Sequence, residues 1–172
     1  MHSAAYDWVF NSFHGWRDER QDLGDDEKID VLEIGSLDIN GSIRQIFNPF
    51  ARNYVGIDPQ EGPGVDLVVS AVDYIKHDCF DVVVACEVFE HTPDYKTIIF
   101  NSMMNLREGG IFIATMAGEG RAPHSAIDEA PIRPWEHYRN IGEWELNQLM
   151  EGFFEHSVVN KLGNDVRCWG VK

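Results

Sequence analysis

Apolar residues recur along this chain at two spacings. Over residues 3–19, Ala5, Trp8, Val9, Phe13 and Trp16 return every three or four positions, which predicts an amphipathic helix. A polar, acidic stretch over 21–28, broken by Gly24, reads as a connector. Residues 29–34 then form a short apolar run that ends at Gly35, the pattern of a strand covered on both faces. Ile43, Ile46 and Phe47 share one face of a short helix that Pro49 stops. Strands are expected over 53–57, 65–69 and 80–86, the last being the most apolar and therefore central. Pro59 to Gly64 reads as a turn, and 71–77 as a short connection of helical character.

Thr92-Pro93 matches an N-cap followed by proline at the first helical position. The helix it opens points Tyr95, Ile98, Ile99, Met103 and Leu106 inward and ends at Glu108-Gly109-Gly110, before a strand over 110–116. Strand and helix alternate up to this point, which predicts a parallel, doubly wound α/β sheet with helices on both faces. The alternation breaks over 117–139, where Gly118, Gly120, Pro123, Pro131 and Pro134 interrupt any period. Ordered loops of this length commonly carry function. A helix over 142–151 and a hairpin of 154–160 with 165–171, turning at Leu162-Gly163-Asn164, complete the pattern. The length of 172 residues suits a single domain over 1–172, with an N-terminal helix within 1–22.

Charge narrows the classes of partner. There are 29 acids against 14 Lys and Arg, a formal charge of −15. Gripping a phosphate backbone or an anionic membrane needs the opposite sign, so neither nucleic acid nor membrane is an expected partner. No apolar run is long enough to span a bilayer, and residues 1–5 lack the basic and apolar regions of a signal peptide, so a cytoplasmic location is expected. Cys79, Cys86 and Cys168 form neither a CxxC nor an even framework, so no disulfide and no zinc site is expected from them, and no metal site is expected elsewhere in the chain.

The candidate chemistry lies at strand ends. Val31-Leu32-Glu33-Ile34-Gly35-Ser36 is an apolar strand that meets an acid, a glycine and a small polar loop, and Tyr54-Val55-Gly56-Ile57-Asp58 repeats the ending in shorter form. Ligands of open α/β sheets sit beyond the carboxyl ends of the strands, where strand order reverses. Gly35 permits a tight turn and close approach. Glu33 is placed to meet a cationic amine and Asp58 to accept from ribose hydroxyls. Pro59, the 70–73 segment with Ala71 and Val72, and Cys86 with Glu87 border the same cleft, Cys86 as a small apolar residue rather than a nucleophile.

Taken together, Val31-Leu32-Glu33-Ile34-Gly35, Val55-Gly56-Ile57-Asp58, the segment from Phe80 to Glu87-Val88-Phe89-Glu90-His91, and Leu106-Arg107-Glu108-Gly109-Gly110 resemble the class I S-adenosylmethionine-dependent methyltransferases, in particular the small type-11-like group. The resemblance runs from about Ile29 to Val171. It implies a Rossmann-like sheet of about seven strands in the order 3-2-1-4-5-7-6, with one strand of the last hairpin antiparallel. It also implies S-adenosyl-L-methionine as cofactor, S-adenosyl-L-homocysteine as product, and Glu33, Gly35, Ser36, Asp58, Pro59, Ala71, Val72 and Cys86 as the residues that hold them. In the glycine-rich loop only Gly35 keeps the family's alternating pattern; Leu37 and Ile39 take the next places. That departure also argues against a NAD-linked enzyme, which needs G-x-G-x-x-G to seat a pyrophosphate.

The implied activity is in-line methyl transfer to a small-molecule acceptor. His91 is the candidate base or acceptor-binding residue, with Glu90, His124, Trp135, His137 and Tyr138 on the acceptor side. Trp8, Phe13 and Trp16 either pack in the core or cover the cleft. The alternative is a non-catalytic module that binds the same cofactor or its product and serves a protein partner.

Overall fold

Seven strands form one sheet in the computed structural model, which describes residues 3–20, 24 and 26–172. The ends of the segment expected as an N-terminal helix (1–22), and residues 21–23 and 25 of the expected connector, lie outside the described residues. Strand β1 (Ile29–Ile34) pairs in parallel with β2 (Ala51–Asp58) and β4 (Phe80–Cys86). The short β3 (Leu67–Val68) lies parallel to β2, and β5 (Leu106–Ala117) parallel to β4. In the closing hairpin, β7 (Asp165–Val171) runs antiparallel to both β5 and β6 (His156–Leu162). The order β3-β2-β1-β4-β5-β7-β6 and the reversed β7 are those implied by the resemblance.

Side chains of a strand alternate between faces, and here each face has its own core. Ile29, Val31, Val82, Val84, Ile111 and Ile113 meet Val9, Phe13 and Trp16 of helix α1 (Ser3–Glu19) and Ile46 and Phe47 of α2 (Arg44–Phe47). Their neighbours Leu32, Ile34, Val83, Ala85, Phe112 and Ala114 meet Tyr95, Ile98 and Ile99 of α3 (Tyr95–Asn105) and Leu146 and Met150 of α4 (Glu143–Phe153). Helix α1 is also fixed at its polar edge, where the Trp16 indole donates to the Gly109 carbonyl at 2.9 Å and the Trp8 indole to the Cys168 carbonyl at 3.2 Å.

At the amino edge of the sheet, Asp30 receives Arg52, Asn53 and Arg107, and Arg107 also reaches Asp81. Burial pushes the Asp30 carboxyl up, but the bonds from Arg52, Asn53 and Arg107 outweigh it and hold the group below the usual carboxylate range. This charge cluster ties β1, β2, β4 and β5 together at the edge away from the carboxyl ends.

Three local expectations are corrected. Residues 71–77 form turns and bends rather than a helix. Their carbonyls are taken by α3: Asn101 Nδ2 donates to Ala71 O (3.1 Å) and Val72 O (2.9 Å), and Asn105 Nδ2 to Tyr74 O (3.1 Å). Helix α3 begins at Tyr95 because the Thr92 hydroxyl accepts the Asp94 amide at 3.2 Å, which closes a local turn around Pro93. It ends at Asn105, and Leu106 already pairs with Phe80 before a register shift that absorbs Gly109, whose φ is +72°.

Candidate functional site

The carboxyl ends of β1, β2 and β4 open onto a cleft of about 630 Å3. Glu33 continues the face of Ile29 and Val31, so its side chain enters the α1/α2 layer and only 6% of the residue remains exposed. Tyr54 donates to its Oε2 at 2.8 Å. Burial nevertheless pushes the Glu33 carboxyl up to about 7, against the Tyr54 bond and the nearby Arg44. The Arg44 guanidinium lies 4.5 Å over the Tyr54 ring and pairs with Asp66. Glu33 is therefore poised at neutral pH, and a cationic ligand group beside it would draw it into the charged form.

Gly35 turns the chain out of β1 with φ +71°, and a Cβ there would stand 2.3 Å from Val88 Cγ2. A side chain is excluded by conformation and by space alike. The amides of Gly35 and Ser36 both donate to the Ile57 carbonyl, at 2.9 and 3.1 Å, which binds the loop to the end of β2. Asp58, 8% exposed, accepts the Gln60 amide at 2.8 Å on Oδ1 and the Leu37 amide at 3.4 Å on Oδ2. Burial raises its pKa against those two bonds. The Ser36 hydroxyl is buried with no hydrogen-bond partner among the described residues.

Pro59, Ala71 and Cys86 also line the cleft; Val72 does not. Burial pushes the Cys86 thiol far up, which makes it an inert apolar wall rather than a nucleophile. Glu87, at the end of β4, takes a left-handed backbone (φ +56°). Its carboxylate accepts from Thr115 Oγ1 at 2.9 Å and lies 3.5 Å from Arg121.

A single 3-10 turn, Phe89–His91, then carries two expected residues. His91 faces the cleft. Burial, helped by His124, pulls its imidazole down to about 4, so it is neutral at physiological pH. Its ring lies edge to face with His124 at 5.1 Å and with Tyr138 at 5.4 Å, and His124 lies 5.1 Å from Tyr138. Glu90 is fully buried behind them. Its Oε1 accepts the Ala117 amide at 3.0 Å, its carbonyl accepts the Arg139 amide at 2.8 Å, and burial together with the nearby Glu87 raises its pKa.

The 117–139 loop carries its own polar framework. Ser125, 1% exposed, donates to Glu136 at 2.6 Å and accepts from Arg133 at 2.6 Å, while Arg133 also pairs with Asp128. Across the cleft mouth, Asn40 donates to Glu129. Of the loop residues expected on the acceptor side, His124 lines the cleft. Tyr138 packs behind it, Trp135 is 77% exposed, and His137 is exposed. Trp8, Phe13 and Trp16 belong to α1's packing against the sheet and take no part in the cleft lining.

Several cleft residues went unread in the sequence, among them Val88, Arg121, Ser125 and Glu129. They come together only through tertiary contacts. Asn101, which holds the Ala71 carbonyl without lining the cleft, is different. It and Asn105 sit four residues apart on the buried face of α3, and paired buried amides at that spacing announce a nearby backbone that needs donors.

No family model and no curated protein matches this chain. Solved structures do. The Burkholderia thailandensis 1,6-didemethyltoxoflavin-N1-methyltransferase, bound to 1,6-didemethyltoxoflavin and S-adenosylhomocysteine, superimposes with a TM-score of 0.65 at 16% identity, over 98% of this chain and 88% of that chain. A Listeria monocytogenes protein assigned as an S-adenosylmethionine-dependent methyltransferase gives a TM-score of 0.61 at 14% identity, over 99% of both chains. DhpI in complex with S-adenosylhomocysteine gives 0.62 at 15% identity, over 94% of this chain and 84% of that chain. The chain thus has the fold of the class I S-adenosylmethionine-dependent methyltransferases.

Proposed function

We propose that this chain is an S-adenosyl-L-methionine-dependent methyltransferase that acts on a small-molecule acceptor. The observation that carries the reading is the arrangement of Glu33 and Asp58. Two buried carboxylates end adjacent strands on one cleft, separated by a loop that Gly35 brings close to Val88. The cleft volume suits a nucleoside-sized ligand. Glu33 would receive the cofactor's cationic amine, Asp58 the ribose hydroxyls, and Ala71 the base end. The unpartnered Ser36 hydroxyl offers a further polar contact.

When bound, the cofactor supplies a methyl group already activated by its sulfonium. What remains for the chain is to align an acceptor and exclude water. We assign the acceptor to the side of the cleft formed by His91 and His124, and water exclusion to the 117–139 loop, which Asn40 and Glu129 draw across the mouth. Activity on a small molecule is supported by the structural neighbour that methylates 1,6-didemethyltoxoflavin.

Calorimetry with S-adenosylmethionine, S-adenosylhomocysteine and NAD tests the cofactor. Heat of binding is expected for the two sulfur ligands and none for NAD; silence from both sulfur ligands would refute the reading. A metabolite screen for release of S-adenosylhomocysteine then finds the acceptor. Cofactor binding with no turnover, and a cleft sealed beside the methyl group, would replace the enzyme by a binding module.

A further inference from the structure

Beside the proposed donor site, one group of side chains is left unexplained by holding a nucleoside. Glu90, His91 and His124 each offer a donor atom within 4.8 Å of the other two. They come from two separate segments, and the hydrogen bonds of Glu90 to Ala117 and Arg139 bring those segments together. We propose that Glu90, His91 and His124 bind a divalent first-row transition-metal ion on the acceptor side of the cleft.

Packing alone does not account for the group. Glu90 Oε2 is buried and has no hydrogen-bond partner among the described residues, although its sister oxygen is engaged by Ala117. A buried oxygen of this kind is costly unless something satisfies it. The His91 ring makes no hydrogen bond to any described residue; only its backbone amide does, to Val88 O at 3.0 Å. In His124, Nδ1 lies 3.1 Å from the Ala122 carbonyl. That contact needs the proton on Nδ1, so it leaves the Nε2 lone pair for a ligand, the arrangement that orients metal-bound histidines. The Tyr138 hydroxyl, on the ring that packs against both imidazoles, is also buried without a hydrogen-bond partner among the described residues.

Donors about 2.0–2.2 Å from a common ion stand roughly 3–4 Å apart, so modest side-chain shifts close the set. Two imidazoles and one carboxylate suit zinc, cobalt, iron or nickel better than the all-oxygen preference of calcium or magnesium. Three protein ligands leave further coordination positions open. His91 and His124 line the cleft, so an ion between them would meet whatever occupies its acceptor side, and an oxygen donor of the acceptor is the class of ligand such an ion takes. That last use rests on the methyl-donor reading; the metal site itself does not. No metal is expected from the sequence, because Glu90 and His91 are separated from His124 by more than thirty residues and only the folded loop brings the three together.

The test is a Co2+ titration of the EDTA-treated full chain, followed by visible d–d absorption. One equivalent is expected to bind and to be displaced by Zn2+. His91→Ala and His124→Ala should each weaken Co2+ binding by about 100-fold or more, with circular dichroism and thermal unfolding confirming a folded chain. His137→Ala, an exposed position of the same loop, should leave the titration unchanged. No Co2+ spectrum in the native chain, or an unchanged affinity in both His91→Ala and His124→Ala, would overturn the site. S-adenosylhomocysteine binding, measured on the same samples, separates the two proposals. Its loss with Co2+ binding intact overturns the donor reading alone, and its presence without a Co2+ spectrum overturns the metal site alone.

Discussion

The Glu90 carboxylate accepts the amide of Ala117 at 3.0 Å, while the carbonyl of the same residue accepts the amide of Arg139 at 2.8 Å. One buried residue thus grips both ends of the loop that covers the acceptor side. Glu90→Ala should leave the Ala117 amide buried and unsatisfied, at a cost of about 1–3 kcal/mol. Glu90→Gln retains an acceptor oxygen and should unfold close to the native midpoint. Urea denaturation of the two variants checks this, and hydrogen exchange at Ala117 should quicken only in Glu90→Ala.

Gly35 and Val88 define a second contact that can be tested in isolation. Gly35→Ala introduces a Cβ 2.3 Å from Val88 Cγ2 at a φ of +71°. The left-handed backbone alone costs about 1–2 kcal/mol, and the overlap adds about 1–3 kcal/mol. Val88→Ala in the same chain should recover the overlap and leave the backbone cost. A double-mutant cycle is therefore expected to show favourable coupling of about 1 kcal/mol or more. Strict additivity would mean that Val88 already moves aside.

Asp58→Ala should weaken S-adenosylhomocysteine binding at least about tenfold, the loss of one charge-assisted hydrogen-bonding partner. The residue stands at a strand end, and its amide partners Gln60 and Leu37 lie in the following turn and in the loop after β1, so the fold should persist. Calorimetry beside a thermal melt measures both effects. Undiminished affinity would remove Asp58 from the site.

Burial pushes the Glu33 carboxyl up from its ordinary 4.5 to about 7 in the folded chain. Its neutral form is the one the fold favours. The associated stability is complete below the unfolded value and disappears as pH rises through the folded one, so the native chain loses stability between about pH 4.5 and 7 from this group. Ligand affinity should move in the opposite direction: a cationic amine prefers the carboxylate, and S-adenosylhomocysteine should bind more tightly as pH rises from 6 to 8. In Glu33→Gln the affinity profile should flatten. Parallel pH profiles for the native chain and the variant would show that another group controls binding.

Much of the architecture was legible because it depends on period. The continuous apolar runs of β1, β4 and β5 and the three- and four-residue spacing of α1 follow from which faces are buried, and burial is written in residue type. Element ends were less legible where a long-range partner decides them. Leu106 looks like the last inward residue of a helix, yet it starts β5, because Phe80 offers it a strand partner. Thr92 looks like a cap, yet it closes a turn one step earlier. The candidate site divides in the same way. Glu33, Gly35 and Asp58 were readable because strand order places them at one edge. The meeting of His91 with His124 depends on how a loop without periodicity folds back, and no local pattern encodes that.

The turn that replaces the expected helix over 71–77 has its own implication. Its carbonyls at Ala71, Val72 and Tyr74 hang from Asn101 and Asn105, so much of the instruction for its shape is stored in α3 rather than in the turn itself. That wall of the cleft should tolerate wide variation in its own side chains, while a change at either asparagine, neither of which lines the cleft, would deform it. Sequence freedom and structural control are thus held by different segments of the chain.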